Sequence, residues 1–172
     1  MVKLIRNREV VEDSWKVLTL AANDTPESVN LPVGPLLVPL SVWQVRKAEL
    51  IHREWERQEL LGVWVGPDDD PADLAADLDN FSVVGIHFPS AGDGRGYSIA
   101  ALLRGRFGYK GELRAFGSIG RDHLHYLQRV GFDAFAVSQP ELAVASLNDF
   151  SEAYQGAANQ PLPLFRRRTL TA

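Results

Sequence analysis

The strongest constraint on this chain is a repeated unit: a short apolar run followed by a helical pattern, five times over. The runs fall at 36–40, 63–65, 83–88, 113–116 and 134–137. They are short, mainly apolar and do not alternate with polar residues, which is how parallel strands covered on both faces read. Helical patterns follow at 41–58, at 71–78, from a glycine-rich loop at 91–96 to about 107, at 121–130 and at 140–154. Ser41 suits a helix N-cap, Gly131 the left-handed position that ends one, and Pro140 a first helical turn. In the first helix Val45, Ala48, Ile51 and Trp55 share one face, and Glu49 stands four residues before Arg53.

Parallel strands joined this way need right-handed crossovers. The fold class is therefore α/β, with two architectures open: a half (β/α)-barrel or an open doubly wound sheet. The units run regularly, with no long order-reversing connection, and this favours the half-barrel. In either case the functional face lies beyond the C-terminal ends of the strands. Ahead of the repeat, residues 1–35 read as an N-terminal hairpin and loop, with strands at 2–11 and 15–20 turning at Asp13 and Ser14. Residues 36–155 form the βα-repeat domain. Residues 156–172 form a tail without periodicity, in which Leu162, Leu164 and Phe165 precede Arg166, Arg167 and Arg168.

A chain of 172 residues, 45% hydrophobic, builds one core without disulfides or a structural metal. Its net charge of −4 argues against nucleic acid or an anionic membrane as partner. There is no cysteine, so thiol nucleophiles, Cys-ligated clusters and dithiol relays are excluded. No apolar stretch is long enough to span a bilayer, and Lys3, Arg6, Arg8 and Glu9 argue against a signal peptide. The expected location is the cytoplasm.

The run Phe88-Pro89-Ser90-Ala91-Gly92-Asp93-Gly94-Arg95-Gly96-Tyr97-Ser98 carries the most chemistry. It joins a strand to a helix at the functional end. Backbone N–H groups there, a helix N-terminus and the planar Arg95 fork suit an oxyanion or phosphate. Gly94, Arg95, Gly96, Tyr97 and Ser98 are its candidate ligand-binding residues. The spacing is neither a dinucleotide fingerprint nor a phosphate-binding Walker loop. Asp93 and His87 are the candidates for acid–base work, each with a plainer reading as a turn former and a packed strand-end histidine. The second βα loop, Gly117-Ser118-Ile119-Gly120-Arg121-Asp122-His123, brings Arg121 towards the same face. His123 and His125 alternate, which a helix would send to different sides, so no metal site is assigned. Asp68, Asp69, Asp70 and Asp73 lack the glycine and terminal glutamate of a calcium loop and read as helix N-terminal charges.

Several of these residues recur together in one bacterial family. They are Pro67-Asp68-Asp69-Asp70-Pro71, Asp93-Gly94-Arg95-Gly96-Tyr97-Ser98, Leu102-Leu103-Arg104, Gly108-Tyr109, Gly111-Glu112-Leu113-Arg114-Ala115, Arg121-Asp122 and Gly131-Phe132-Asp133-Ala134-Phe135. Over about residues 36–155 the chain resembles a family of unknown function described as probable oxidoreductases of sulfite reduction, encoded beside assimilatory sulfite reductase. Many members carry a lysine near position 90, an aspartate at 118 and a cysteine at 130; this chain has Ser90, Ser118 and Val130. The resemblance implies an accessory role in sulfur assimilation, as adaptor or electron-transfer partner of sulfite reductase or its electron donor. Arg104 and the tail residues Leu164, Phe165, Arg166 and Arg167 are then the docking candidates. Any redox centre would be a non-covalent flavin or would sit on the partner. The alternative is an independent small-molecule enzyme or binder using the Gly92–Gly96 loop. A half-barrel also leaves an open strand edge, which calls for a dimer or hetero-complex unless the N-terminal hairpin covers it.

Overall fold

The structure, a computed structural model, describes residues 2–57, 60–150 and 153–170. Three strands precede the repeat: β1 (Val2–Arg6), β2 (Glu9–Asp13) and β3 (Lys16–Val17). The repeat supplies β4 (Leu36–Pro39), β5 (Leu61–Val65), β6 (Val83–Phe88), β7 (Glu112–Gly117) and β8 (Ala134–Phe135). The helices are α1 (Leu40–Arg57), α2 (Arg95–Gly105), α3 (Leu124–Val130), α4 (Pro140–Ala143) and α5 (Leu164–Leu170). Strands β3 to β8 pair in parallel, in unbroken sequence order, within one sheet of order β2-β1-β8-β7-β6-β5-β4-β3. A doubly wound sheet needs a reversal of that order. Its absence here gives the half-barrel.

The N-terminal hairpin exists, but its turn is not at Asp13–Ser14. Asn7 and Arg8 make it, both at positive φ (51° and 68°), between β1 and β2. Such a two-residue turn usually advertises itself with glycine, and Arg8 does not. The hairpin pairs antiparallel with β8 through Ile5 and Arg6, so it covers the edge that would otherwise call for a dimer. Ser14 and Trp15 then carry the chain to the opposite edge, where β3 pairs with β4. In a flat sheet, seven strand spacings would separate β2 from β3 by about 34 Å. The linker from Asp13 to Lys16 spans at most about 11 Å. The sheet must therefore curl, and the linker crosses its concave side.

Two cores result. On the convex side, Val38, Val63, Val84, Ile86, Leu113 and Ala115 pack under the helices. On the concave side, Leu37, Trp15, Trp64 and Phe116 fill the space left by Gly62 and Gly85. Arg114 lies there too, only 2% exposed. Its guanidinium binds both Asp13 carboxylate oxygens at 3.0 Å and Glu112 at 2.7–2.9 Å, 5.8 Å from the centre of the Trp15 ring.

The helices depart from expectation in four places. In α1 the buried residues are Val42, Trp43 and Leu50, whereas Val45, Ala48 and Ile51 are exposed. Arg46 leaves helical geometry (φ −120°, ψ 20°) to reach the Val29 carbonyl (2.6 Å) and Glu49, which breaks the phase of the pattern. Trp43 anchors the true face through Asp77 (2.9 Å) and the Phe81 ring (4.6 Å). The Trp55 side chain and Gln58 lie outside the described residues. Expected helix 71–78 is two short 3₁₀ turns, Pro71–Leu74 and Leu78–Asn80, and Asp70 caps the first through the Ala72 N–H (2.8 Å). Expected helix 140–154 divides into α4 and a 3₁₀ turn, Val144–Asn148. The tail is not shapeless: Ala157 bridges to Gln160, the Ala158 N–H donates to the Arg129 carbonyl (2.9 Å), and α5 follows. Among the described residues no helix is long and apolar enough to cross a membrane.

Candidate functional site

The C-terminal ends of β5, β6 and β7 carry the loops in which the sequence concentrates its chemistry. The β6–α2 loop holds Arg95 tightly. Its Nε and Nη2 bond the two oxygens of Asp93 (3.0 and 2.7 Å), and Nη1 bonds Asp68 (2.5 Å). Asp68 belongs to the β5 loop, so Arg95 also ties two βα connections together. The fork that could clasp an oxyanion is thus engaged by two carboxylates, and the trio carries a net −1. The side-chain hydrogen bonds from Arg95, followed by its backbone N–H, hold the Asp93 carboxyl below the usual carboxylate range. That makes Asp93 a fixed counter-ion, since a general base would be poised near the working pH.

The glycines of the loop do different work from one another. A Cβ on Gly92 or Gly94 would meet nothing within 4 Å, whereas one on Gly96 would lie 2.5 Å from the Phe88 ring. Gly96 therefore lets α2 approach β6 closely. Tyr97 packs edge-on against Phe88 (5.6 Å), and burial, then the nearby Asp122 charge, pushes its phenol pKa up. Ser98 is exposed on α2. Because Arg95 is already paired, sulfate or phosphate at millimolar concentration should leave the melting temperature of the purified chain unchanged. A dose-dependent rise in a thermal scan would establish the loop as an anion site.

The β7 loop is bound to the β6 loop by three further contacts. The Ser118 N–H donates to the Phe88 carbonyl (2.7 Å) and the Ser118 hydroxyl to the Pro89 carbonyl (3.1 Å). His123 Nδ1 accepts from the Gly120 N–H (3.0 Å), which places the imidazole proton on Nε2, facing the Ala91 carbonyl (3.1 Å). His123 thus has a clear role that the sequence reading did not give it. Arg121 pairs with Asp149 (3.0 Å), away from the Arg95 trio's partners. His87 stands on the concave face between Trp64 (5.8 Å) and Phe116 (5.2 Å), and the Trp64 indole N–H donates to the Leu18 carbonyl (2.8 Å).

Arg104 has an internal role. Its Nε donates to the Gly131 carbonyl (2.9 Å), Nη1 to the carbonyls of Tyr109 (2.7 Å) and Gly111 (2.9 Å), and Nη2 to Asp133. Asp133 also accepts from the Leu113 N–H (2.9 Å), so this staple joins α2, β7 and the turn before β8. Gly131, at φ 108°, provides the left-handed end of α3 against which Arg104 packs. In the tail, the Leu164 N–H donates to the Tyr154 carbonyl (3.0 Å) and the Arg167 side chain to the Ala153 carbonyl (3.0 Å). Leu164 is half-buried, whereas Phe165 and Arg166 are exposed.

Reading the sequence missed the Arg114 network and, in the C-terminal third, Tyr126, Phe150 and Tyr154, though it named Phe165. The first left a signal: an arginine inside an otherwise apolar strand run must find partners if the strand is buried. Residues 62–165 match the family described as "Bacterial protein of unknown function (DUF934)". No curated protein matches the chain.

Proposed function

The chain belongs to the DUF934 family of bacterial proteins of unknown function, and from that premise we propose that it is an accessory protein of assimilatory sulfite reduction, an adaptor or electron-transfer partner of sulfite reductase. The pathway comes from the sequence resemblance, whose members are encoded beside the reductase. One structural observation supports an accessory role over independent turnover. At the strand ends where βα proteins keep their chemistry, Arg95 is engaged with the Asp93 and Asp68 carboxylates, the Ser118 hydroxyl with the Pro89 carbonyl, and His123 with the Gly120 N–H and the Ala91 carbonyl. Loops fixed in this way form a preorganised surface, which suits binding a partner. On this reading the protein acts in the cytoplasm, and any redox centre is a non-covalent flavin or sits on the partner.

Genetics in the native host tests the pathway. Deleting the gene should abolish or slow growth on sulfate or sulfite as sole sulfur source, and sulfide or cysteine should restore it. Wild-type growth on sulfite would remove the proposal. A defect that sulfide does not repair would place the function outside sulfite reduction.

A further inference from the structure

The C-terminal third concentrates large exposed side chains. Tyr126, Phe150, Tyr154 and Phe165 are 59%, 57%, 69% and 55% exposed. Phe150 stacks on His125 with ring centroids 4.3 Å apart, and Tyr126 meets that imidazole edge-on at 5.2 Å. Tyr154 and Phe165 form a second pair at 6.4 Å. The Phe150–His125 stack stands as a ridge between two clefts, one of about 350 Å³ beside Arg121 and Tyr126, the other of about 250 Å³ beside Arg8 and Arg129. A ridge flanked by hollows is a shape that another protein surface can interlock with.

The charges give the ridge a direction. Arg46, Arg95, Arg104, Arg114 and Arg121 each pair with a carboxylate. Three others, Arg8 and Arg129 at the second cleft and Arg167 in the tail, meet neutral groups. Arg8 bonds the Leu147 carbonyl (3.1 Å) and the Asn148 amide, Arg129 the Gln155 carbonyl at 3.4 Å, and Arg167 the Ala153 carbonyl. The Nε–H of Arg167 is buried and has no partner among the described residues. Residues 153–170 contain three arginines and no acid, so this stretch is +3 in a chain that is −4 overall. On the far side of the ridge, Arg121 is balanced by Asp149, and Asp122 is exposed. The face is therefore aromatic at its centre, basic on one flank and neutral to acidic on the other.

We propose that this face docks an acidic protein surface, with Phe150 and Tyr126 as apolar anchors and Arg8, Arg129 and Arg167 as steering charges. It rests on the accessory reading above and names the surface by which that partner is held. Exposed aromatic side chains ringed by arginines are the composition of energetic centres in protein interfaces. Uncancelled cations speed the approach of an acidic partner in a salt-dependent way.

The test is equilibrium and kinetic binding of the full chain to the purified sulfite reductase holoenzyme, with its electron-donor component present. Phe150→Ala and Arg129→Glu are compared with the wild type and with Glu27→Lys, an exposed position in the loop before β4. Circular dichroism and melting temperature establish that each variant is folded. Both face variants should bind at least tenfold more weakly, Arg129→Glu mainly through a slower on-rate, and Glu27→Lys should bind as wild type. Wild-type association should slow as salt rises. Equal binding by all four chains overturns this face as the docking surface and leaves the accessory role standing. A wild type that does not bind the reductase overturns the accessory role and the face with it. Sedimentation showing that Phe150→Ala dissolves a homodimer would make a second copy the occupant, and the acidic partner would be wrong.

Discussion

Asp13→Ala should lower folding stability by about 3–5 kcal/mol, because it takes from the buried Arg114 guanidinium the more buried of its two counter-ions. For a chain of this size that corresponds to a fall in melting temperature of about 6–20 °C. Arg114 is 2% exposed and Asp13 receives two hydrogen bonds from it at 3.0 Å. Glu112 stays in contact, but it also faces Arg6 at 3.6 Å and is the less buried of the two acids. Truncating Asp13 removes the contact that spans the concave side of the sheet, and water cannot enter freely to replace it. The control is the double variant Asp13→Val/Arg114→Met. Removing both charges from a buried pair is far milder than removing one, so the double variant should recover most of the loss. Urea denaturation of the three proteins checks this. If the double variant is as unstable as Asp13→Ala, packing rather than charge sets the cost.

The convex core was legible because its rule is local. Runs such as Val63–Val65 are apolar throughout, and a parallel strand under a helix needs nothing else. The sequential strand order followed from the even succession of βα units. What escaped was set by the curl. Asp13 and Ser14 have turn chemistry, yet they lie on a crossover between the two edges of the sheet, and only the tertiary path distinguishes the two uses. The hairpin turn at Asn7–Arg8 hid behind a long side chain at a positive φ. In α1 the face of Val45 and Ile51 was a sound helical pattern defeated by the kink at Arg46.

The candidate site shows the same division. Arg95, Asp93 and Arg121 were found because charged residues at βα loops stand out, and the Asp93–Arg95 pair is local, but the further partners lie on other segments. Asp68 is 27 residues before Arg95, and Asp149 is 28 after Arg121. Sequence spacing gives no information about such pairs. A composition of −4 likewise conceals Arg8, Arg129 and Arg167, whose hydrogen-bond partners are backbone carbonyls and an amide and not carboxylates. An average charge describes the whole surface, whereas docking depends on one face.

Glycine provides the sharpest contrast between what stands out in the sequence and what the fold requires. Gly62→Ala should cost about 3 kcal/mol, at the upper end of overpacking penalties. The new Cβ would lie 2.5 Å from Leu37 Cδ1, 2.7 Å from the Val83 carbonyl oxygen and 3.1 Å from the Trp15 ring. Leu37 could shift, but Val83 lies on the neighbouring strand β6, where its backbone is held by the sheet. Relief would have to come from separating β5 and β6 or from expelling Trp15, which closes the concave side. Gly92→Ala, in the loop with the highest glycine density, should change stability by less than about 0.5 kcal/mol, because nothing lies within 4 Å of the added methyl. Thermal unfolding of the two variants side by side separates the cases. A large loss for Gly92→Ala would show that the β6–α2 loop is held to a conformation its spacious surroundings do not explain. A negligible loss for Gly62→Ala would show that the concave core yields to a methyl group, and that Trp15 is not packed against β5.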